Sequence, residues 1–286
     1  MIDRLKALLN NKNSMGEQGF TLIELAIVLV IVSLLIGMGL QPMARMLDNA
    51  KIKTTRDRMD KIDEAVTVFA VQNSFLPCPA DGALPSTNAN YGRSQGGGLG
   101  AVAGCTAIAN GAQVVPWITL GLDEMFSRDG WGNRITYFVA GVNQAGLANG
   151  IVFHTGGTTT DGIQRVTTSY PKGTIIVNDL AGNELTNSNA GACPTATGST
   201  TFTCAAYVLV SHGSHASGAY TGGNTPTRIS VTDASVGEAA NNDGATPFVQ
   251  NDTTERASTS GIFDDITRWR SAQSIVGSCG TAACGN

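Results

Sequence analysis

At 286 residues the chain can hold one large domain or two modest ones, and 42% apolar residues are enough to bury a core, which excludes a disordered tail. Charged residues make up only 14%, against roughly 25% in an ordinary soluble protein, and with 35 glycines the balance favours loops and strands over surface helices. The net charge of -4 and the pI near 5.3 give no overall basic field, and aromatic residues at 6% are too scattered for base stacking, so no nucleic-acid partner is expected.

The amino terminus places Arg4, Lys6 and Lys12 before a polar MGEQG segment and then an apolar run from Phe20 to Leu40. A secretory signal has a shorter apolar core, roughly 7 to 15 residues, and a small-residue cleavage site after it, and this run has no A-x-A site at its far end. At about 1.5 Å per residue the run covers roughly 30 Å, the thickness of a hydrocarbon core, which predicts a transmembrane helix over 20–41. Glu24 lies inside its first turns. A carboxylate at the middle of such a helix costs roughly 2.5 to 3.5 kcal/mol and near an end still needs a partner. Lys and Arg number three before the run and five soon after it (Arg45, Lys51, Lys53, Arg56, Arg58), which by the positive-inside rule argues for a cytoplasmic head. The cysteines argue the other way.

Pro42 removes one helical hydrogen bond and predicts a kink there. Beyond it Met59, Ile62, Val66 and Phe69 recur at helical spacing, so the helix continues as an amphipathic one and ends near Ser74, before Pro77. From residue 76 to 286 the pattern switches to short strand-like runs (RITYFVA, GIVFH, GTIIVND, AAYVLVSH, TRISV, PFVQ) between Gly, Asn, Ser and Thr clusters. GRSQGGGLGAVAG and LTNSNAGACPTATGST read as long surface loops, and IFDDITRWRSA at 262–272 as a late helix. The fold class is α+β: a long kinked amino-terminal helix, membrane-spanning in its first half, packed on a predominantly antiparallel β-sheet head.

Six cysteines, Cys78, Cys105, Cys193, Cys204, Cys279 and Cys284, all follow the apolar run, where an exported domain would carry disulfides. Fifteen pairings are possible. Sequential ones (Cys78 with Cys105, Cys193 with Cys204, Cys279 with Cys284) close the shortest loops and are preferred. Gly92–Gly96 matches the G-x-S-x-G pattern of serine hydrolases, but between NANY and GGLGA it lacks the strand and helix that a nucleophile elbow needs. His212 and His215 leave the end of an apolar run three residues apart; a metal there would need a third ligand that the sequence does not place nearby. No catalytic residues are assigned, and the chain is read as a non-enzyme.

The residues Gly19-Phe20-Thr21-Leu22-Ile23-Glu24, followed by the uninterrupted apolar run, resemble the cleavage and methylation signal of type IV pilins and type II secretion pseudopilins. The resemblance implies cleavage between Gly19 and Phe20 on the cytoplasmic side, N-methylation of Phe20, and Glu24 as an assembly residue. The leader 1–19 would be removed, leaving the helix 20–75 and a periplasmic or extracellular head 76–286. Glu24, one turn beyond the new ammonium, could compensate that charge in the same chain or its neighbour. An ordinary anchor in which Glu24 only snorkels to the interface is the plainer reading.

In the head, Asp129-Gly130-Trp131-Gly132-Asn133 with Tyr137, then Ser211-His212-Gly213, then Asp264-Asp265-Ile266 with Trp269, follow an order similar to the carboxy-terminal half of major pseudopilins. That similarity implies a calcium ion with Asp264 and Asp265 as candidate ligands. Where the family carries an aspartate, however, this chain has Ser214 and His215, and helix capping by Asp264 or Asp265 is the competing role. The chain's length suggests a minor or specialised subunit. Implied partners are other pilin or pseudopilin subunits, a prepilin peptidase, membrane lipid, and an inner-membrane assembly platform driven by an ATPase. The implied location is the inner membrane with a periplasmic head before assembly, then a pseudopilus or surface filament. The alternative is a membrane-anchored adhesin or ligand-binding β domain exported by such a leader.

Overall fold

A computed structural model of the chain describes residues 19–96, 98–99, 105–106, 108–109, 111–140, 153–154, 173–186, 204–230, 236–242, 244, 246–251, 256–258 and 261–279. Two compact units are present, Met1–Asn49 and Ala50–Asn286. Helix α1, Leu22–Asn73, contributes to both.

Thr21 opens α1. Its carbonyl accepts the first helical bond from Leu25 N at 3.2 Å, and its hydroxyl accepts from Glu24 N at 3.3 Å, the N-cap arrangement. The assignment is continuous through Pro42. Ser74, in the left-handed region at φ 66°, ends the helix. In the first unit every residue from Gly19 to Leu34, and Ile36, is exposed. Among the described residues, no helix is long and apolar enough to cross a membrane. The side chains of residues 35 and 37–44 lie outside the described set, so only part of the expected 20–41 span is represented there.

In the second unit α1 presents a buried stripe of Thr55, Met59, Ile62, Asp63, Val66 and Ala70, spaced by three and four as one helical face requires. Phe69, expected in that stripe, sits at its edge and packs edge-on against Phe75, ring centroids 5.5 Å apart. The stripe belongs to one core with an antiparallel sheet. The sheet is built from β1 (Ala80–Asp81), β3 (Gln113–Val114), β4 (Thr136–Val139), β7 (Ala205–Ser211) and β11 (Ile266–Ser271), in the order β1-β3-β4-β7-β11. All of β7 is buried, as a fully covered strand without polar alternation should be. Three two-stranded pairs complete the described strands. They are β2 (Gly98–Leu99) with β5 (Phe153–His154), β6 (Val177–Asn178) with β8 (Phe248–Val249), both parallel, and antiparallel β9 (Arg256–Ser258) with β10 (Gly261–Phe263).

The late helix expected over 262–272 is not there. Strands β10 and β11 occupy it, and a short helix α3 (Ala272–Ser278) begins only after Ser271, whose hydroxyl caps Ser274 N at 3.2 Å. The run reads as helical because Asp, Arg and Thr break the apolar alternation. Its two arginines instead answer acids on α1. Arg270 holds the buried Asp63 with Nη2 at 2.5 Å and Nε at 2.8 and 2.9 Å from the two carboxylate oxygens, and Arg268 pairs with Asp60. Tyr207 on β7 donates its hydroxyl to the same Asp63. Within TRISV the described residues 227–230 form no strand beyond a single bridge between Tyr220 and Arg228, and residue 231 lies outside the described set.

The turn that precedes β4 is drawn close to α1: Gly130 N donates to Thr55 Oγ1 at 2.8 Å, and a side chain at Gly130 would strike the Lys51 carbonyl. Cys78 and Cys105 form a disulfide that closes a 27-residue separation. Cys204 and Cys279 are also disulfide-bonded, and no described cysteine is free; Cys193 and Cys284 lie outside the described residues. The fully buried Arg134 lies 4.8 Å from the Tyr91 ring centre and 4.7 Å from that of Trp117. It donates to Tyr91 Oη at 2.8 Å, fixing the turns of 88–93 over the sheet edge.

Candidate functional site

Two places carry the residues singled out from the sequence. The first is the start of α1. Gly19 and Phe20 precede the first turn in non-helical backbone, both exposed, and a methyl group built on Gly19 meets nothing within 4 Å. The fold of the described residues therefore makes no demand for glycine at position 19. Glu24 is the third helical residue, its backbone amide bonded to the Thr21 hydroxyl, so Thr21-x-x-Glu24 has the capping-box spacing. An acid there also faces the positive end of the helix dipole, worth about 0.3 to 1 kcal/mol. Sequence reasoning missed this local role, although the T-x-x-E signal was in plain view.

The second place lies at the end of β7, where the chain turns through 212–218, beside the turn between β10 and β11. Asp264 is its hub. One carboxylate oxygen, Oδ2, accepts from Ser214 N at 2.6 Å, Ser214 Oγ at 2.7 Å and His215 N at 3.0 Å, and lies 2.9 Å from His215 Nδ1. Gly213, at φ 59°, permits this approach, since a side chain there would run into Asp264. Glu238, on the short helix α2 (Val236–Asn242), joins them and accepts from Asp264 N at 3.3 Å. One ligand atom from each of His215, Glu238 and Asp264 can be chosen so that all lie within 4.8 Å of one another.

Burial, then the neighbouring Asp264, pushes the Glu238 carboxyl up to about 7. Burial would raise Asp264 too, but the hydrogen bonds from Ser214 and His215 outweigh it and hold that carboxyl below its usual value. The pair thus divides its charge, with the ionised form favoured on Asp264.

Asp265, the other expected ligand, is turned away. Its Oδ2 accepts from Asn241 Nδ2 at 2.9 Å and its Oδ1 lies 3.9 Å from His212 Nδ1, both side chains being buried. Burial raises the Asp265 carboxyl well above the carboxylate range. His212, pushed down to about 4 by burial and then by the Arg228 charge, is neutral at physiological pH, with Nε2 2.8 Å from Thr136 Oγ1. Behind it Asp129 accepts from Ser211 Oγ at 2.8 Å, Asn133 N at 2.9 Å and Trp131 N at 3.0 Å. Burial nevertheless pushes the Asp129 carboxyl up to about 6. The three motif segments read as one ordered series thus meet around the end of β7. Neither Asp264 nor Asp265 caps a helix, because Ile266 begins a strand. Ser94 lies in the loop at the sheet edge, its hydroxyl donating to Gly96 O at 3.1 Å, outside any strand-to-helix elbow.

The family model for the prokaryotic N-terminal methylation motif matches residues 14–40. Comparison with curated proteins and with solved structures returned no match.

Proposed function

We propose that this chain, which carries the type IV pilin and pseudopilin signal at residues 14–40, is a structural subunit of a type IV pilus-like or type II secretion pseudopilus filament. A prepilin peptidase cuts between Gly19 and Phe20 and methylates Phe20. The subunit waits in the inner membrane through residues 20–41 and joins the filament by its amino-terminal helix, with Glu24 answering the new ammonium. The single observation that carries the reading is the motif match at the head of a continuous helix whose first residues are apolar and exposed. Exposed apolar surface of this extent marks a membrane or protein contact. The open surroundings of Gly19 support the view that glycine there answers an outside requirement, close approach to a peptidase.

The test is the intact mass of the membrane-extracted protein. The expected mature chain begins at Phe20 with one added methyl group, and Glu24→Ala is processed normally but lost from filaments. A chain that retains Met1, or one trimmed beyond Leu40, would end this reading.

A further inference from the structure

The family resemblance implies calcium in the head, and the donors present do not suit it. Calcium takes six to eight oxygens. Here Asp265 is committed to Asn241 inside the core, and the loop offers an imidazole nitrogen where a carboxylate is expected. Among the described residues the gathered set is one nitrogen and two carboxylates from three separate segments: His215 after β7, Glu238 on α2 and Asp264 between β10 and β11.

A second feature points the same way. The Asp264 side chain is only 6% exposed, and while Oδ2 collects the loop's donors, Oδ1 is buried without a donor from the loop, the Glu238 carboxyl being the other acid of the pair. A buried carboxylate oxygen without a donor costs on the order of 1 to 3 kcal/mol, and two acids this close need either a shared proton or a cation between them. His215, by contrast, is 47% exposed, so the cluster opens to solvent on the imidazole side.

We propose that His215, Glu238 and Asp264 form a site for a borderline divalent transition cation of the zinc class, with an open position toward solvent. Imidazole with carboxylates suits such ions, whereas calcium and magnesium prefer oxygen alone. Three protein ligands with the last position left to water is the pattern of exchangeable zinc sites, in contrast to closed four-ligand structural ones. Bound there, the ion would fasten the loop 213–218 to the β10–β11 turn and to α2. The proposal concerns the head alone and does not depend on filament assembly.

The experiment is calorimetric titration of the full-length, tag-free chain in detergent, stripped with EDTA, using zinc chloride, calcium chloride and magnesium chloride in turn. One equivalent of zinc is expected to bind about tenfold or more tighter than calcium and to raise the melting temperature. His215→Gln should weaken zinc about tenfold or more while melting like the wild type in EDTA. Glu238→Gln should weaken it as well, and the control His154→Gln should leave it unchanged. Calcium binding as tight as zinc, zinc affinity indifferent to His215→Gln, loss of zinc in His154→Gln, or no saturable zinc binding would each overturn the proposal.

Discussion

The two stretches of α1 are made of the same apolar residue types and meet different surroundings. Ile31, in the first unit, is 51% exposed and its apolar neighbours are exposed on every side; Ile62, in the second, is fully buried. The downstream stretch mixes charged residues among its apolar ones, so its one apolar face is defined and the sheet covers it. The upstream stretch is apolar all round, and a helix of that kind is stable only inside a protein core or a membrane. The downstream face is covered by the chain's own sheet, and under the proposed function the upstream one is kept for a membrane or a neighbouring subunit.

Substitution at matched positions separates the two roles. Ile62→Ala removes methylene contacts from a closed core and should cost roughly 3 to 4 kcal/mol in a denaturant melt of the detergent-solubilised chain. Ile31→Ala should leave that melt within about 0.5 kcal/mol and instead reduce the yield of filaments. Equal losses in the melt would erase the distinction. The ionic part of the helix–sheet contact comes next. Arg270→Ala strips the buried Asp63 of its closest cation and leaves Tyr207 as a donor, an expected loss of about 2 to 3 kcal/mol. That value lies below the range for a fully buried pair because the Arg270 side chain is 35% exposed. The double variant Asp63→Ala/Arg270→Ala should recover part of it if the unpaired charge is the cause.

Much of this was legible from the residues, for physical reasons that also mark where legibility stopped. The stripe Met59, Ile62, Val66 could be read because helical period and burial coincide, and β4 and β7 because their runs are apolar throughout. The stretch 266–271 was misread because what fixes it is remote: its arginines answer Asp60 and Asp63 on α1, a pairing that no local window contains. In the head, the resemblance implies Asp264 and Asp265 as ligands together, yet adjacent residues leaving a strand end point to different sides, and of the two only Asp264 lies in the cluster. The pair His212 and His215 does not share a site: His212 is buried against Thr136 and Asp265, while His215 alone meets Asp264 and Glu238, residues far along the chain that no local window contains. Glu24 carries two signals at once, the membrane cost of its charge and the capping spacing from Thr21.

The smallest effect is one of slope, and it contrasts two buried groups at one end of β7. Asp129 has its folded pKa raised to about 6, above the usual carboxylate value, so the native state binds its proton more tightly than the unfolded chain does. Its contribution to stability therefore falls as pH rises from about 4 to about 6. His212 has its folded pKa lowered to about 4, so the unfolded chain takes up the proton first as pH falls below about 6.5. Its contribution rises with pH across nearly the same window, and the two oppose each other. Asp129→Asn removes the falling term, so between pH 4.5 and about 6.5 its stability should gain on, or fall less than, that of the wild type as pH rises. His212→Gln removes the rising term and should tilt the profile the other way, with melts recorded in EDTA so that no cation contributes. Were both variants to track the wild-type slope, the two groups would have to share their protonation states with the unfolded chain, and burial would not be setting either of them.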